Sequence, residues 1–212
     1  MCSAENGRFH KHPDRHAHHR IVQSSDTNFF ENPLNKGFQR VLLIGWEMIE
    51  IETERLTLKR LDIADKERLI ALIGDLRVSE TLSNVPHPYT DADAEYWLNR
   101  VNTSEFQLSI FRNSVLIGGI GLTPEDDGYC EFGYWLGFEY WGKGYATEAC
   151  NALLNYAKTN TSYKKFRANV YKGNTASSKV LEKVGFKQTG EGEAFSLSKQ
   201  KNISCLNYEY SF

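Results

Sequence analysis

Gly142, Lys143 and Gly144 stand where an apolar, strand-like run gives way to a helix-like run, in the segment YWLGFEYWGKGYATEA. Glycine tolerates positive φ and close backbone approach, and Ala146 keeps the first helical turn small. The first N–H groups of a helix have no intrahelical partner and sit at the positive end of its dipole, so such a turn can seat a phosphate, with Lys143 adding a point charge. The spacing is neither the GxxxxGK[ST] loop nor the GxGxxG fingerprint of nucleotide folds. Taken alone, the turn reads more readily as an ordinary tight connection than as a phosphate seat.

Further along, NTASSKVLEKVGF reads as an amphipathic helix that is capped by Asn174, buries Val180, Leu181 and Val184, and stops at a glycine. The strand period of two sets the Glu131 carboxylate on one face with Gly133 and Trp135. A carboxylate satisfied by surface or sheet contacts is the plainer reading. His87 lies in a loop between Pro86 and Pro88, where a solvent-exposed histidine is the default. Tyr89, Trp97 and Tyr134 read as packing or pocket wall. Cys130 has no histidine near it in sequence, and a strand cysteine is usually inert packing rather than a nucleophile.

The elements that must position these residues follow from periodicity and turn signals. Leu56 and Leu58 alternate with polar neighbours as a half-buried strand, and Asp62 or Asp65 can cap a helix carrying Leu69, Ile70, Leu72 and Ile73 that closes near Gly74. Thr90 with Asp93 forms a capping box before a helix that buries Ala94, Trp97, Leu98 and Val101. Residues 106–111, Asn113-Ser114 and residues 115–122 read as a hairpin, and PEDDG turns the chain into a third strand over 129–136. After the glycine loop come a helix through Ala149, Leu153 and Ala157, a strand over 166–171, a helix over 176–184, and strands near 186–189 and 203–210. The fold class expected is α/β (α+β), a mixed and mostly antiparallel sheet of six to seven strands with about four helices.

At 212 residues the chain suits one domain plus an appendage. A formal net charge of -2 gives no general pull toward nucleic acid, and no apolar run is long enough to span a bilayer. Four dispersed cysteines without metal-ligand spacing suggest neither a disulfide framework nor a zinc site, and the cytoplasm is the expected location. Residues 1–47 hold five of the six histidines and are expected to be an N-terminal extension, flexible or upstream of the native start; the domain proper is expected over 48–212.

In this order, YWGKGYATEA and NTASSKVLEKVGF, with TERLTLKRL at the start and PHPYT before YWL, resemble the GNAT superfamily of N-acetyltransferases over residues 51–212. The resemblance is strongest to the branch containing the ribosomal-protein N-terminal acetyltransferases. It implies a pair of splayed strands at the cofactor site, with Tyr134, Trp135 and Leu136 against the pantetheine arm of acetyl-CoA. Trp141, Gly142, Lys143, Gly144, Tyr145 and Ala146 would hold its pyrophosphate, and Asn174 and Ser177 would touch the cofactor at the mouth of the next helix. The loop with His87 and Tyr89 would lie at the acceptor entrance.

Two positions depart from the superfamily pattern. Trp141 stands where Arg or Gln is usual, as this branch commonly has it. Leu181 stands where many members place a tyrosine that protonates the departing thiolate. Ser177, one turn earlier, is the available hydroxyl. The activity implied is direct acetyl transfer to a primary amine in a ternary complex, with Glu131 as base, Ser177 at the thiolate, the Leu136 N–H as oxyanion donor and no metal. The acceptor implied is a protein α-amine, ribosomal or other. A small amine, amino acid or antibiotic, and a catalytically inactive acyl-CoA-binding module, stand as alternatives. Either a monomer or a homodimer is compatible.

Overall fold

A computed structural model describes residues 49–102 and 104–212. The expected extension over 1–47, with its histidines, and Met48 lie outside the described residues. The elements in order are β1 (Ile51–Glu52), β2 (Thr57–Lys59), α1 (Lys66–Ile73), α2 (Leu76–Ser79), α3 (Asp91–Asn102), β3 (Gln107–Arg112), β4 (Val115–Pro124), β5 (Cys130–Leu136), α4 (Tyr145–Asn160), β6 (Lys165–Tyr171), α5 (Thr175–Lys183), β7 (Lys187–Ser196) and β8 (Lys201–Ser211).

The strands form one sheet ordered β1-β2-β3-β4-β5-β6-β8-β7, antiparallel except at β5–β6. The mostly antiparallel α/β architecture therefore holds, with eight strands among the described residues in place of six to seven and five helices in place of about four. The additional elements are β1 and α2, two and four residues long. Such pieces are too short to show a period. β7 runs to Ser196 rather than ending near 189: Gly190 and Gly192 both pair with β8, with a bulge between Gln188 and Gly190.

Local signals in the sequence operate as physical devices. Asn113 and Ser114 both adopt positive φ, 50° and 61°, as a tight hairpin turn with the twist of its strands requires. In the capping box the Thr90 N–H donates to Asp93 Oδ2 at 2.8 Å and the Asp93 N–H donates to Thr90 Oγ1 at 3.3 Å. Asp62, not Asp65, makes the cap at the first helical segment, accepting from the Ala64 N–H at 2.8 Å.

Alternation along the strands divides the core. One face of the sheet, with Leu108, Ile110, Ile120, Leu122, Phe132 and Leu136, packs on α4 and α5 through Leu153, Leu154 and Leu181. The opposite face packs Phe111 and Leu116 on α1, α2 and α3 through Leu69, Leu72, Val78 and Leu98. Among the described residues no helix is long and apolar enough to cross a membrane, and no group of His, Cys, Asp and Glu is arranged to hold a metal ion.

Candidate active site

The site begins where two strands part. β5 and β6 pair in parallel only at Cys130–Phe166 and Glu131–Arg167, and beyond these two rungs they have no ladder between them. On its other side β5 pairs with β4 along its whole length, and the Gly137 N–H continues that ladder to the Ile117 carbonyl at 2.9 Å. Alternate residues of an antiparallel ladder turn their backbone groups to the same neighbour. Glu131, Gly133 and Trp135 therefore bond toward β4, while Tyr134 and Leu136 turn N–H and C=O toward the gap. The Leu136 carbonyl accepts the Trp141 indole N–H at 2.8 Å. Its N–H remains aimed into the gap, where a ligand with carbonyl and amide groups, or a developing oxyanion, can meet it.

Past the end of β5 lies the glycine loop. Gly142 and Gly144 take φ of 70° and 81°, in the left-handed region where a side chain is strained. Gly144 is the residue that precedes α4, and no side chain caps that helix, so the amides of its first turn are open to an anion. Lys143 folds its ammonium back onto the Glu139 carbonyl at 2.7 Å. Arg55, at the β1–β2 turn, supplies a cation that sequence reasoning overlooked. Its guanidinium donates to the Lys143 carbonyl at 3.1 Å, pairs with Glu148 at 2.6 Å and lies 4.7 Å from the centre of the Tyr145 ring. Burial alone would raise the Glu148 pKa, but hydrogen bonds from the Thr53 hydroxyl and from the side chain and backbone of Arg55 outweigh it and hold the carboxyl below its ordinary value. An arginine in TERLTLKRL carries no spacing signal that links it to a loop about 90 residues away.

A cavity of about 710 Å³ opens against the parted strands and is lined by Tyr89, Glu131, Tyr134, Trp135 and Ser177, five of the residues singled out from the sequence. Glu131, Gly133 and Trp135 share the α1–α3 face as the strand period requires, and Tyr134 faces the α4–α5 side. The Glu131 carboxylate makes no hydrogen bond or ion pair among the described residues. Its cross-strand neighbour Arg167 is engaged by Glu125 and Asp127 of the β4–β5 turn. His87 is exposed and does not line the cavity, whereas Tyr89 does and donates its hydroxyl to the Asp93 carbonyl at 3.3 Å.

Asn174 caps α5, its Oδ1 accepting the Ser177 N–H at 3.1 Å, which fixes Ser177 in the first turn facing the cavity. The Tyr134 hydroxyl oxygen is buried without a well-formed hydrogen bond. Burial pushes this phenol above 10, and Ser177 is the side chain that acts on it in the opposite direction. Leu181, with no proton to give, is buried in the core. Cys130 is buried and its thiol is pushed up to about 11 by loss of solvent, which disfavours the thiolate at neutral pH.

Comparison with known proteins gives this arrangement a context. Residues 55–187 match the family model described as an acetyltransferase (GNAT) domain. A Bacillus licheniformis protein named as the uncharacterized N-acetyltransferase p20 is 28% identical over 179 residues, covering 77% of this chain and 99% of that one. The ribosomal L7/L12 α-N-protein acetyltransferase RimL, solved in complex with coenzyme A, superposes with a TM-score of 0.67 at 15% identity, covering 77% of this chain and 98% of the other. The microcin C7 self-immunity acetyltransferase MccE, solved with acetyl-CoA and AMP, superposes with a TM-score of 0.63 at 18% identity, covering 76% and 94%. At these identities the two structures are a likeness of fold.

Proposed function

The chain belongs to the GNAT acetyltransferase family and is an acetyltransferase, and from that premise we propose that it moves the acetyl group of acetyl-CoA to a primary amine, a protein N-terminal α-amine, within a ternary complex in the cytoplasm. The observation that carries this reading is the parting of β5 and β6 after two rungs, with β5 followed in the chain by the open amides at the start of α4. Residues 48–212 form the working domain.

Acetyl-CoA supplies a thioester whose carbonyl carbon accepts the amine and whose sulfur leaves. Backbone groups of Tyr134 and Leu136, with Trp135 alongside, suit a pantetheine arm, and the amides of residues 142–146 suit its pyrophosphate, with Trp141 bracing the junction. Asn174 holds Ser177 in place. Glu131 takes a proton from the amine, directly or through one water, so that nitrogen attacks with a free lone pair. The Leu136 N–H receives the negative charge that grows on the carbonyl oxygen. Ser177 Oγ donates to the departing sulfur, with the buried Tyr134 phenol behind it. Neither a metal nor a covalent acyl-enzyme is needed, since holding two reactants together supplies much of the acceleration.

A protein terminus as acceptor is supported by the likeness to RimL, and Tyr89 and Trp135 would flank it, with His87 outside at the entrance. A small-molecule amine is the second reading. The β7–β8 turn favours it, because the Leu197 N–H donates to the Ser83 carbonyl at 2.9 Å and Leu197 walls the cavity on that side. Release of CoA, measured with unblocked peptides and with small amines, separates the two. Binding of acetyl-CoA with no turnover of any acceptor would leave only an acyl-CoA-binding module.

A further inference from the structure

Gln107 opens β3 and was visible in the sequence only as a polar residue in an apolar strand. The register places it in one cross-strand row with Gly121 of β4 and Gly133 of β5. All three point to the cavity face, and Gln107, Gly121 and Gly133 line it. The two glycines leave that floor without side chains, and the Gln107 amide lies flat across the first of them. A methyl group on Gly121 would fall 2.3 Å from Gln107 Oε1, whereas one on Gly133 would meet nothing within 4 Å. The amide thus ends beside open space, in the row next to Glu131 and Thr123.

The orientation of the amide is chemically fixed. Nε2 donates to the Leu122 carbonyl at 3.3 Å and to Thr123 Oγ1 at 3.2 Å. A carbonyl can only accept, so nitrogen must face Leu122, and Oε1 is the atom left over. Among the described residues Oε1 accepts no hydrogen bond.

An amine that has given one proton to Glu131 still carries N–H bonds, and these must be held if its lone pair is to point at the thioester carbon. A second carboxylate there would hold the ammonium form and blunt the nucleophile. A neutral amide oxygen accepts a hydrogen bond without taking the proton. We propose that Gln107 is an acceptor-binding residue of this acetyltransferase, its Oε1 accepting a hydrogen from the incoming amine opposite Glu131, and that Gly121 and Gly133 are required as glycines because the amide and the amine occupy the space above them. This rests on the transfer reading given above.

The test uses the full chain, unblocked serine- and alanine-initiated hexapeptides and benzylamine as acceptors, and CoA release as the readout. Gln107→Met, of similar length but without the amide, should raise the KM of the preferred amine roughly tenfold while the Kd for acetyl-CoA, measured by calorimetry, stays unchanged. Gly121→Ala should produce a similar effect by displacing the amide, and the double variant should be little worse than either single one. An unchanged amine KM in Gln107→Met, or an equal rise in acetyl-CoA Kd, overturns the assignment, as does full additivity in the double variant. In parallel, the Gln107 side-chain NH₂ resonances of ¹⁵N-labelled, CoA-loaded protein should move on titration with the amine, and resonances that stay still also overturn it. Lack of turnover by the wild-type chain with every acceptor would instead count against the transfer reading, and the resonance shift then decides for Gln107 by itself.

Discussion

Trp141 donates its indole N–H to the Leu136 carbonyl at 2.8 Å, fastening the glycine loop to the end of the strand that leads into it. The ring also packs at 5.2 Å from Phe138, so its position is set from two sides. A side chain in the place where Arg or Gln is usual in the superfamily here ties together the two halves of the proposed cofactor seat.

Trp141→Phe keeps an aromatic face but removes the donor. Loss of one such bond, about 1 kcal/mol, should weaken acetyl-CoA binding about fivefold with little change in kcat. Calorimetric titration measures it, and an unaltered Kd would show that the tie does not serve the cofactor.

Ser177→Ala should lower kcat by roughly 100-fold with a smaller change in acetyl-CoA affinity, since the hydroxyl is wanted when the sulfur carries charge. Tyr134→Phe, which removes the hydroxyl behind it, should give a weaker loss of the same kind. Steady-state and single-turnover kinetics distinguish this from a binding defect; matching kcat values for Ser177→Ala and wild type would remove Ser177 from the chemistry.

Asn174→Ala removes the cap of α5. It should cost about 1 kcal/mol and lower Tm by roughly 2–4 °C in a domain of this size. Calorimetry reads the loss, and Asn174→Asp, which keeps an acceptor oxygen, should restore most of it.

Burial holds the Tyr89 phenol at about 12, against 10.0 for a free tyrosine. A raised pKa means that the folded state favours the neutral phenol. The associated stability is fully present below pH 10 and is lost as pH rises through 12. Absorbance of phenolate at 295 nm, taken as the difference between wild type and Tyr89→Phe, should therefore appear late and alongside loss of circular dichroism. Ionisation of Tyr89 near pH 10 with the fold intact would contradict its burial.

Features written in neighbouring residues were legible from the sequence: the Asn113-Ser114 turn, the Thr90–Asp93 capping box, the left-handed glycines 142 and 144, and the cap by Asn174. Each is a local device whose partners lie within a few positions. β1 and α2 escaped because two and four residues carry no period, and β7 was cut short because Gly190 and Gly192 are held in the strand by pairing with Asn207 and Cys205 of β8, far off in sequence. Arg55 at the glycine loop and Gln107 over Gly121 were invisible for a different reason. Their roles exist only once separated strands are in register. His87 drew attention from its place in a proline-bounded loop, yet it is exposed and does not line the cavity that Tyr89 lines.

Two ladder rungs, flanked by the ion pairs of Arg167 with Glu125 and Asp127, join the five strands β1–β5 to the three strands β6–β8. The helices bridge that junction: α4 packs on β1, β4 and β5, α5 packs on β7, and the two helices pack on each other. Tension between the halves is thus borne by side-chain packing rather than by the ladder. Slow hydrogen exchange should accordingly be a property of each plate, while the seam between them is where the protein yields first and where a bound ligand can act as mortar.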